Sequence, residues 1–222
     1  MSVMAAPKEK TEEKKRVAIL ISGRGSNMSA LIRAAKQPGF PAEIAGIISN
    51  KASAAGLEIA QNENLPTAIH QLKNFAGKDA CDAAITKTLL EWQVDIVCLA
   101  GFMRILSARF TRHWQGKLIN IHPSLLPKFK GLDTHQRALE AGESKHGCSV
   151  HFVVPELDAG PVIARSVIDV LPDDTPDTLA ARILVEEHKT YPKALEQLAL
   201  GHVRLEAGKA IWSQNPAPAS AP

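Results

Sequence analysis

Five short apolar runs, Val17 to Ile21, Ile44 to Ile48, Pro66 to Ile69, Ile96 to Ala100 and Leu118 to Ile121, are rich in Val, Ile and Leu and are separated by stretches of helical spacing. Such runs barely alternate between apolar and polar residues, so as strands they are buried on both faces. That requires a mostly parallel, twisted sheet with helices above and below it. The spacing predicts helices over Asn27 to Lys36, Ala54 to Asn64 and Lys78 to Trp92, punctuated by Gly39, Pro41 and Pro66. In the third of these, Ala80, Ala83, Ala84, Thr88 and Leu89 are read as the inward stripe.

After Pro123 the texture changes. Leu125 to Gly131 reads as a loop, Asp133 to Ala141 as a short helix, and Ser149 to Val154 and Val162 to Val170 as two strands around the turn Pro155 to Pro161. Two strands joined by a Gly/Pro turn predict an antiparallel, C-terminal addition to the sheet. Asp177 is the expected cap of a last long helix running to about Leu200, with Leu179, Ile183, Leu184 and Leu195 as its apolar contacts. One domain over residues 16–212 is expected, with disordered tails at 1–15 and 213–222.

Composition narrows the partners. A net charge of +3 is too mild for a nucleic-acid footprint. No apolar stretch nears the roughly 20 residues a membrane helix needs, and the N-terminus lacks a signal-peptide pattern, so a cytoplasmic protein is expected. Cys81, Cys98 and Cys148 form an odd, widely spaced trio, which argues against a disulfide framework and a zinc knot, and Cys98 reads as a core thiol. The histidines show no ligand spacing, so no metal is expected.

Asn120-Ile-His-Pro-Ser124 closes the fifth run. On a strand, Asn120 and His122 share a face, and Pro123 both favours an extended His122 and removes a ladder donor, so the strand should stop there. A carboxamide beside an imidazole can hydrogen-bond a developing oxyanion and move a proton, which suits acyl-type transfer to an amine. The same pair could equally satisfy the end of a buried strand. Ile21 to Asn27 (ISGRGSN) lies between the first strand and first helix, where free N–H groups and the helix dipole attract a phosphate. It lacks the Gly-Lys-Ser/Thr ending and the Gly-x-Gly-x-x-Gly spacing, so neither ATP nor NAD is supported. A tight turn capped by Ser26 or Asn27 is the alternative. Met103-Arg-Ile-Leu106 follows the fourth run, at the strand end where open α/β sheets bind ligands, and its apolar side chains could hold a flat heterocycle. Asp158, in its turn, gains a purpose only if the turn folds back to His122, whose imidazolium form it would favour.

Together, Ser22-Gly-Arg-Gly-Ser-Asn27, Ser49-Asn-Lys51, Leu99 to Ser107, Asn120 to Pro127, Gly147 to His151 and Glu156 to Pro161 closely resemble the phosphoribosylglycinamide formyltransferase family, over about Arg16 to Trp212. The resemblance implies a Rossmann-like formyltransferase fold that moves a formyl group from 10-formyltetrahydrofolate to the amine of glycinamide ribonucleotide. It implies Asn120, His122 and Asp158 as the catalytic trio, and Gly25, Ser26, Asn27 and Glu187 on the ribonucleotide. Lys78, Met103, Arg104, Ile105, Leu106, Asn120, Val154, Pro155, Glu156, Leu157 and Asp158 correspond to the folate pocket. Small-molecule substrates are implied, with no metal and with a homodimer left open. Two departures stand out: Lys78 replaces a frequent arginine, whose planar fork an ammonium does not reproduce, and Lys128 to Asp133 differs from the commoner Tyr/Phe-Pro-Gly form, leaving Asp133 and His135 unassigned. Methionyl-tRNA formyltransferase and formyltetrahydrofolate hydrolase resemble the same domain with added modules. A non-catalytic phosphate-ligand sensor is the alternative outside enzymes.

Overall fold

The structure is a computed structural model that describes residues 13–213. Its nine strands are β1 (Lys15–Ile21), β2 (Ala42–Ser49), β3 (Thr67–Ile69), β4 (Ile96–Leu99), β5 (Leu118–His122), β6 (Lys145–Phe152), β7 (Val162–Asp169), β8 (Val203–Glu206) and β9 (Lys209–Trp212). Six α-helices intervene: α1 (Ser26–Ala35), α2 (Gly56–Asn62), α3 (Lys78–Glu91), α4 (Ala108–His113), α5 (Thr134–Glu140) and α6 (Pro176–Ala199).

Seven strands form one sheet in the order β3-β2-β1-β4-β5-β6-β7. The first five run parallel, and β6 and β7 are added antiparallel. The apolar runs divide by alternation between two cores. Val17, Ile19 and Ile21 join α1, α2 and α6 on one side, while Ala18 and Leu20 join Cys81, Ile85 and Leu89 of α3 and Phe110 and Trp114 near α4 on the other. Both faces of β1 are therefore dry, which is why its sequence is almost uniformly apolar. The chain leaves β1 toward β2 on one side and β4 lies on its other side, so a crevice opens above their carboxyl ends.

Several local expectations need correction. The inward face of α3 is Cys81, Ile85 and Leu89, joined by the carboxylate of Asp82, whereas Ala80 and Ala83 are exposed. The bulkier side chains at i, i+4 and i+8 win the buried stripe over alanines one position away. Thr175, not Asp177, caps α6, by accepting the N–H of Thr178 at 3.2 Å in a capping box, and Asp177 sits in the first turn. Neither Ser26 nor Asn27 caps α1. Its cap is Gly25, at φ 78, a conformation glycine enters without penalty. The fold also includes α4 and the β8–β9 hairpin, which apolar periodicity alone did not mark. The folded region begins at Lys15, and residues 1–12 and 214–222 of the expected tails lie outside the described residues.

Candidate active site

Leu118 of β5 points into the α3/α4 core, so Asn120 and His122, two and four residues on, lie on that same face beyond it. The turn between β6 and β7 folds back toward the strand, carrying Asp158 at φ 47, a strained backbone for a non-glycine residue. Its carboxylate lies between two imidazoles: Oδ2 is 3.5 Å from Nδ1 of His122 and Oδ1 is 3.7 Å from Nε2 of His151. The N–H of Gly131 donates to Oδ2 at 2.9 Å, which fixes the carboxylate from the other side.

His122 is buried, and its Nε2–H donates to the carbonyl of Phe129 at 2.9 Å. A neutral imidazole has a single N–H, so this bond leaves Nδ1 as the nitrogen facing Asp158, able to take up or release a proton there. The carbonyl that selects this tautomer belongs to another residue in left-handed backbone, Phe129 at φ 54, whose ring lies edge-on to His146 and under the guanidinium of Arg137.

Antiparallel pairing sets His151 of β6 directly opposite Asn120. The Nδ1–H of His151 donates to the carbonyl of Phe152 at 2.9 Å, so Nε2 is an acceptor and receives Nδ2–H of Asn120 at 3.2 Å. Burial lowers the His151 imidazole pKa to about 4 despite the Phe152 carbonyl and the Asp158 charge, keeping the ring neutral at pH 7. His151 was not singled out from sequence. The alternation of Ser149 to Phe152 assigned it a face, but only the register between β5 and β6 assigns it a partner.

These groups border a cavity of about 510 Å³ that Leu99, Met103, Ile105, Leu106, Val153 and Leu157 make largely apolar. Arg104, Val154, Pro155 and Glu156 line it as well, as do Asp133 and His135. A second residue that sequence reading missed braces this wall. Asp82, buried on α3, accepts from the guanidinium of Arg104 and from the N–H of Ser107 at 2.7 Å, so one carboxylate ties the middle and the last residue of the segment between β4 and α4. A charge inside an apolar helix face was the available signal. Lys78, by contrast, is exposed at the start of α3 and is not part of the cavity lining.

Gly25, Ser26, Asn27 and Glu187 are not part of the lining either, but they lie together at the adjoining crevice. Nδ2 of Asn27 donates to Oε2 of Glu187 at 2.6 Å across 160 positions of sequence, and Oδ1 of Asn27 is buried without a partner. Burial raises the Glu187 carboxyl pKa, and the Asn27 bond offsets part of the rise. The first N–H groups of α1 stay free because no side chain caps them. A Cβ on Gly25 would stand 3.0 Å from Cα of Gly56, so the glycine loop can approach α2 only without one. The loop joins the cavity through Ser22, whose Oγ accepts the N–H of Met103 at 2.8 Å and donates to Oδ1 of Asn50 at 2.6 Å.

Among the described residues, no group of three or more His, Cys, Asp or Glu could hold a metal ion, and no helix is long and apolar enough to cross a membrane. Cys81, Cys98 and Cys148 are all buried and unpaired.

Comparison with known proteins gives this geometry its setting. The formyl transferase family matches residues 15–195. The trifunctional purine biosynthetic protein adenosine-3 of Bos taurus is 49% identical over 90% of this chain, which spans only 20% of that protein. The phosphoribosylglycinamide formyltransferase of Haemophilus influenzae is 42% identical over 86% of this chain and 91% of its own length. A solved phosphoribosylglycinamide formyltransferase from Coxiella burnetii superimposes with a TM-score of 0.86 at 42% identity, covering 90% of this chain and 94% of that one. The chain belongs to the formyl transferase family, alongside the phosphoribosylglycinamide formyltransferases within it.

Proposed function

We propose that the protein transfers the formyl group of 10-formyltetrahydrofolate to the amine of N1-(5-phosphoribosyl)glycinamide, yielding the formylated ribonucleotide and tetrahydrofolate, a step of purine synthesis. The observation that carries this reading is the meeting of Asn120, His122 and Asp158 at one end of an apolar cavity large enough for a flat heterocycle. The segments Met103 to Leu106 and Val154 to Asp158 hold the pterin. The free N–H groups of Gly25, Ser26 and Asn27 take the phosphate of the ribonucleotide, and Glu187 accepts from its hydroxyl or amine groups. Lys78 has no part in this assignment.

The amine attacks the formyl carbon, a C–N bond forms, and the carbonyl oxygen becomes an oxyanion. Nδ2–H of Asn120 and protonated Nδ1 of His122 donate to it, while Asp158 holds His122 in that orientation. Collapse breaks the bond to the folate nitrogen, and the proton lost by the amine reaches that nitrogen through His122 and Asp158, with water as the carrier. No covalent enzyme intermediate is required.

The test is consumption of 10-formyltetrahydrofolate with glycinamide ribonucleotide, initiator tRNA or water as acceptor. Rapid turnover is expected with the ribonucleotide alone, and equal rates with water would reject the reading. Asn120→Ala and His122→Ala should each lower kcat by about 10²- to 10³-fold, the scale seen on removing one oxyanion donor. Wild-type kcat in both would reject the assigned roles.

A further inference from the structure

The two ends of a carboxamide are nearly the same size, so shape alone cannot decide whether Asn120 offers the cavity its N–H or its oxygen. Only the hydrogen-bond partners decide. From the contacts around Asn120 we infer that His151 is a positioning residue for the reaction: its Nε2 lone pair selects the Asn120 rotamer that presents an N–H to the formyl oxygen. This inference rests on the formyl-transfer reading above.

Four observations carry it. Asn120 and His151 are register partners on neighbouring antiparallel strands, so the two side chains stand opposite each other on one face. Nδ2 of Asn120 lies 3.2 Å from Nε2 of His151. Nδ1 of His151 lies 2.9 Å from the Phe152 carbonyl and must carry the ring proton, which leaves Nε2 able only to accept. His151 is 1% exposed, and no other group bonds its Nε2. Asp158 stands 3.7 Å away, beyond hydrogen-bond reach.

One hydrogen of the Asn120 amide is thus committed to His151, which leaves the other available to the cavity that both residues line. With the amide reversed, an oxygen lone pair would face the Nε2 lone pair and a second oxygen lone pair would meet the developing oxyanion. His151 never touches substrate. It makes the wrong rotamer unfavourable before substrate arrives, which is preorganisation of a transition-state donor.

The test is a double-mutant cycle on the formyl-transfer reaction with Asn120→Ala, His151→Leu, His151→Gln and the double variant Asn120→Ala/His151→Leu. His151→Leu should lower kcat about 30- to 100-fold while the KM values for both substrates stay within about twofold. His151→Gln, whose carbonyl oxygen can accept the same N–H, should recover most of the loss. The double variant should be no slower than Asn120→Ala alone, because the second residue acts only through the first. Losses that multiply, or wild-type kcat in folded His151→Leu, would overturn the inference while leaving the transfer reaction intact. Wild-type kcat in Asn120→Ala would instead overturn the reading it rests on. The ¹⁵N spectrum of the wild-type imidazoles reports the tautomer without any substitution. A His151 ring protonated at Nδ1 and bare at Nε2 is expected at neutral pH, and a ring protonated at Nε2 would overturn the inference even if no His151 variant folds.

Discussion

Gly160→Ala is the most demanding test of how the β6–β7 turn holds the site. Gly160 has no unusual φ, so its backbone conformation does not explain the glycine. Space does: a Cβ there would stand 1.7 Å from the Phe152 carbonyl oxygen and 3.6 Å from Nδ1 of His151. Real Cβ contacts stay at or above 3.0 Å, so the turn or the end of β6 must move by about 1.3 Å, and the obstacle is backbone rather than a flexible side chain. Overpacking of this kind costs about 1–3 kcal/mol, and for a domain of this size each kcal/mol lowers Tm by about 2–4 °C, so a fall of about 2–12 °C is expected. The moving carbonyl is the one His151 donates to, and the moving turn carries Asp158. A displacement on the 1 Å scale in such a site costs about 10²-fold in kcat. Thermal melts and formyl-transfer kinetics measure both effects. If Gly160→Ala kept the wild-type Tm and the wild-type kcat, the argument that this turn is sterically fixed against β6 would be wrong.

Other expectations follow from buried groups. Burial raises the Glu187 carboxyl pKa, so the folded state binds its proton more tightly than the unfolded chain and this group's contribution to stability falls as pH rises above the unfolded value of 4.5. Glu187→Gln keeps an acceptor for Asn27 and should melt higher than wild type at pH 8, with weaker ribonucleotide binding. No gain in Tm would refute the burial penalty. His146 and His151 behave oppositely: burial lowers both imidazole pKa values to about 4, so the unfolded chain binds protons first and stability drops as pH falls from about 6.5 toward 4, by about 1.4 kcal/mol per unit for each ring. Urea titrations at pH 7 and 5 should show the loss, reduced in His146→Phe. Tyr191→Phe removes a buried hydroxyl whose single hydrogen is shared between the carbonyls of Leu99 at 3.0 Å and Ile119 at 3.2 Å, and should cost about 1–3 kcal/mol in denaturant melts. Burial pushes the Cys98 and Cys148 thiols up to about 12 and also raises that of Cys81, so a thiol reagent should label none of them in native protein and all of them after denaturation.

The parallel half of the sheet was legible because burial on both faces leaves a mark in every residue of a strand. Val17 to Ile21 and Leu118 to Ile121 read as strands and are strands. The end of β5 at His122 was legible for a different reason, the conformational demand of Pro123. What escaped was structure defined by long-range partners. The helix α4 has only 6 residues and the β8–β9 hairpin pairs two strands of 4, too short for periodicity to separate from noise. Thr175 outcompeted Asp177 because capping depends on which side chain meets the N3 amide, a matter of two positions in where the chain enters the helix. Asn120 and His122 stood out by their spacing, whereas Asp158 was singled out by the family resemblance, since an aspartate in a turn is by itself ordinarily a surface residue. His151 and Asp82 did not stand out, since a histidine in a strand and an aspartate in a helix are common until register or burial assigns each one a partner.

The main chain, more than the side chains, fixes the protonation geometry of this site. Nε2 of His122 is tied to the carbonyl of Phe129, Nδ1 of His151 to that of Phe152, and Oδ2 of Asp158 to the N–H of Gly131. The ties on the two rings leave Nδ1 of His122 turned toward Asp158 and Nε2 of His151 turned toward Asn120. Backbone groups suit this task because they do not titrate, so the orientation they impose holds while the side chains exchange protons. The arrangement also explains where strain collects. Phe129, Asp133 and Asp158 all adopt positive φ within the two loops that meet over β5, and none is a glycine. Aiming a carbonyl at His122 and a carboxylate at the same ring requires turns that ordinary backbone does not make, and the surrounding bonds hold those turns in place. Ser149 supplies two of them: its Oγ donates to the Ser124 carbonyl at 2.7 Å and accepts the N–H of Leu126 at 3.1 Å, fixing the loop after β5 to the strand that carries His151. The antiparallel pair is therefore more than a lid added to a parallel sheet, because it provides the partner for Asn120, the anchor for the loop that orients His122, and the turn that delivers Asp158.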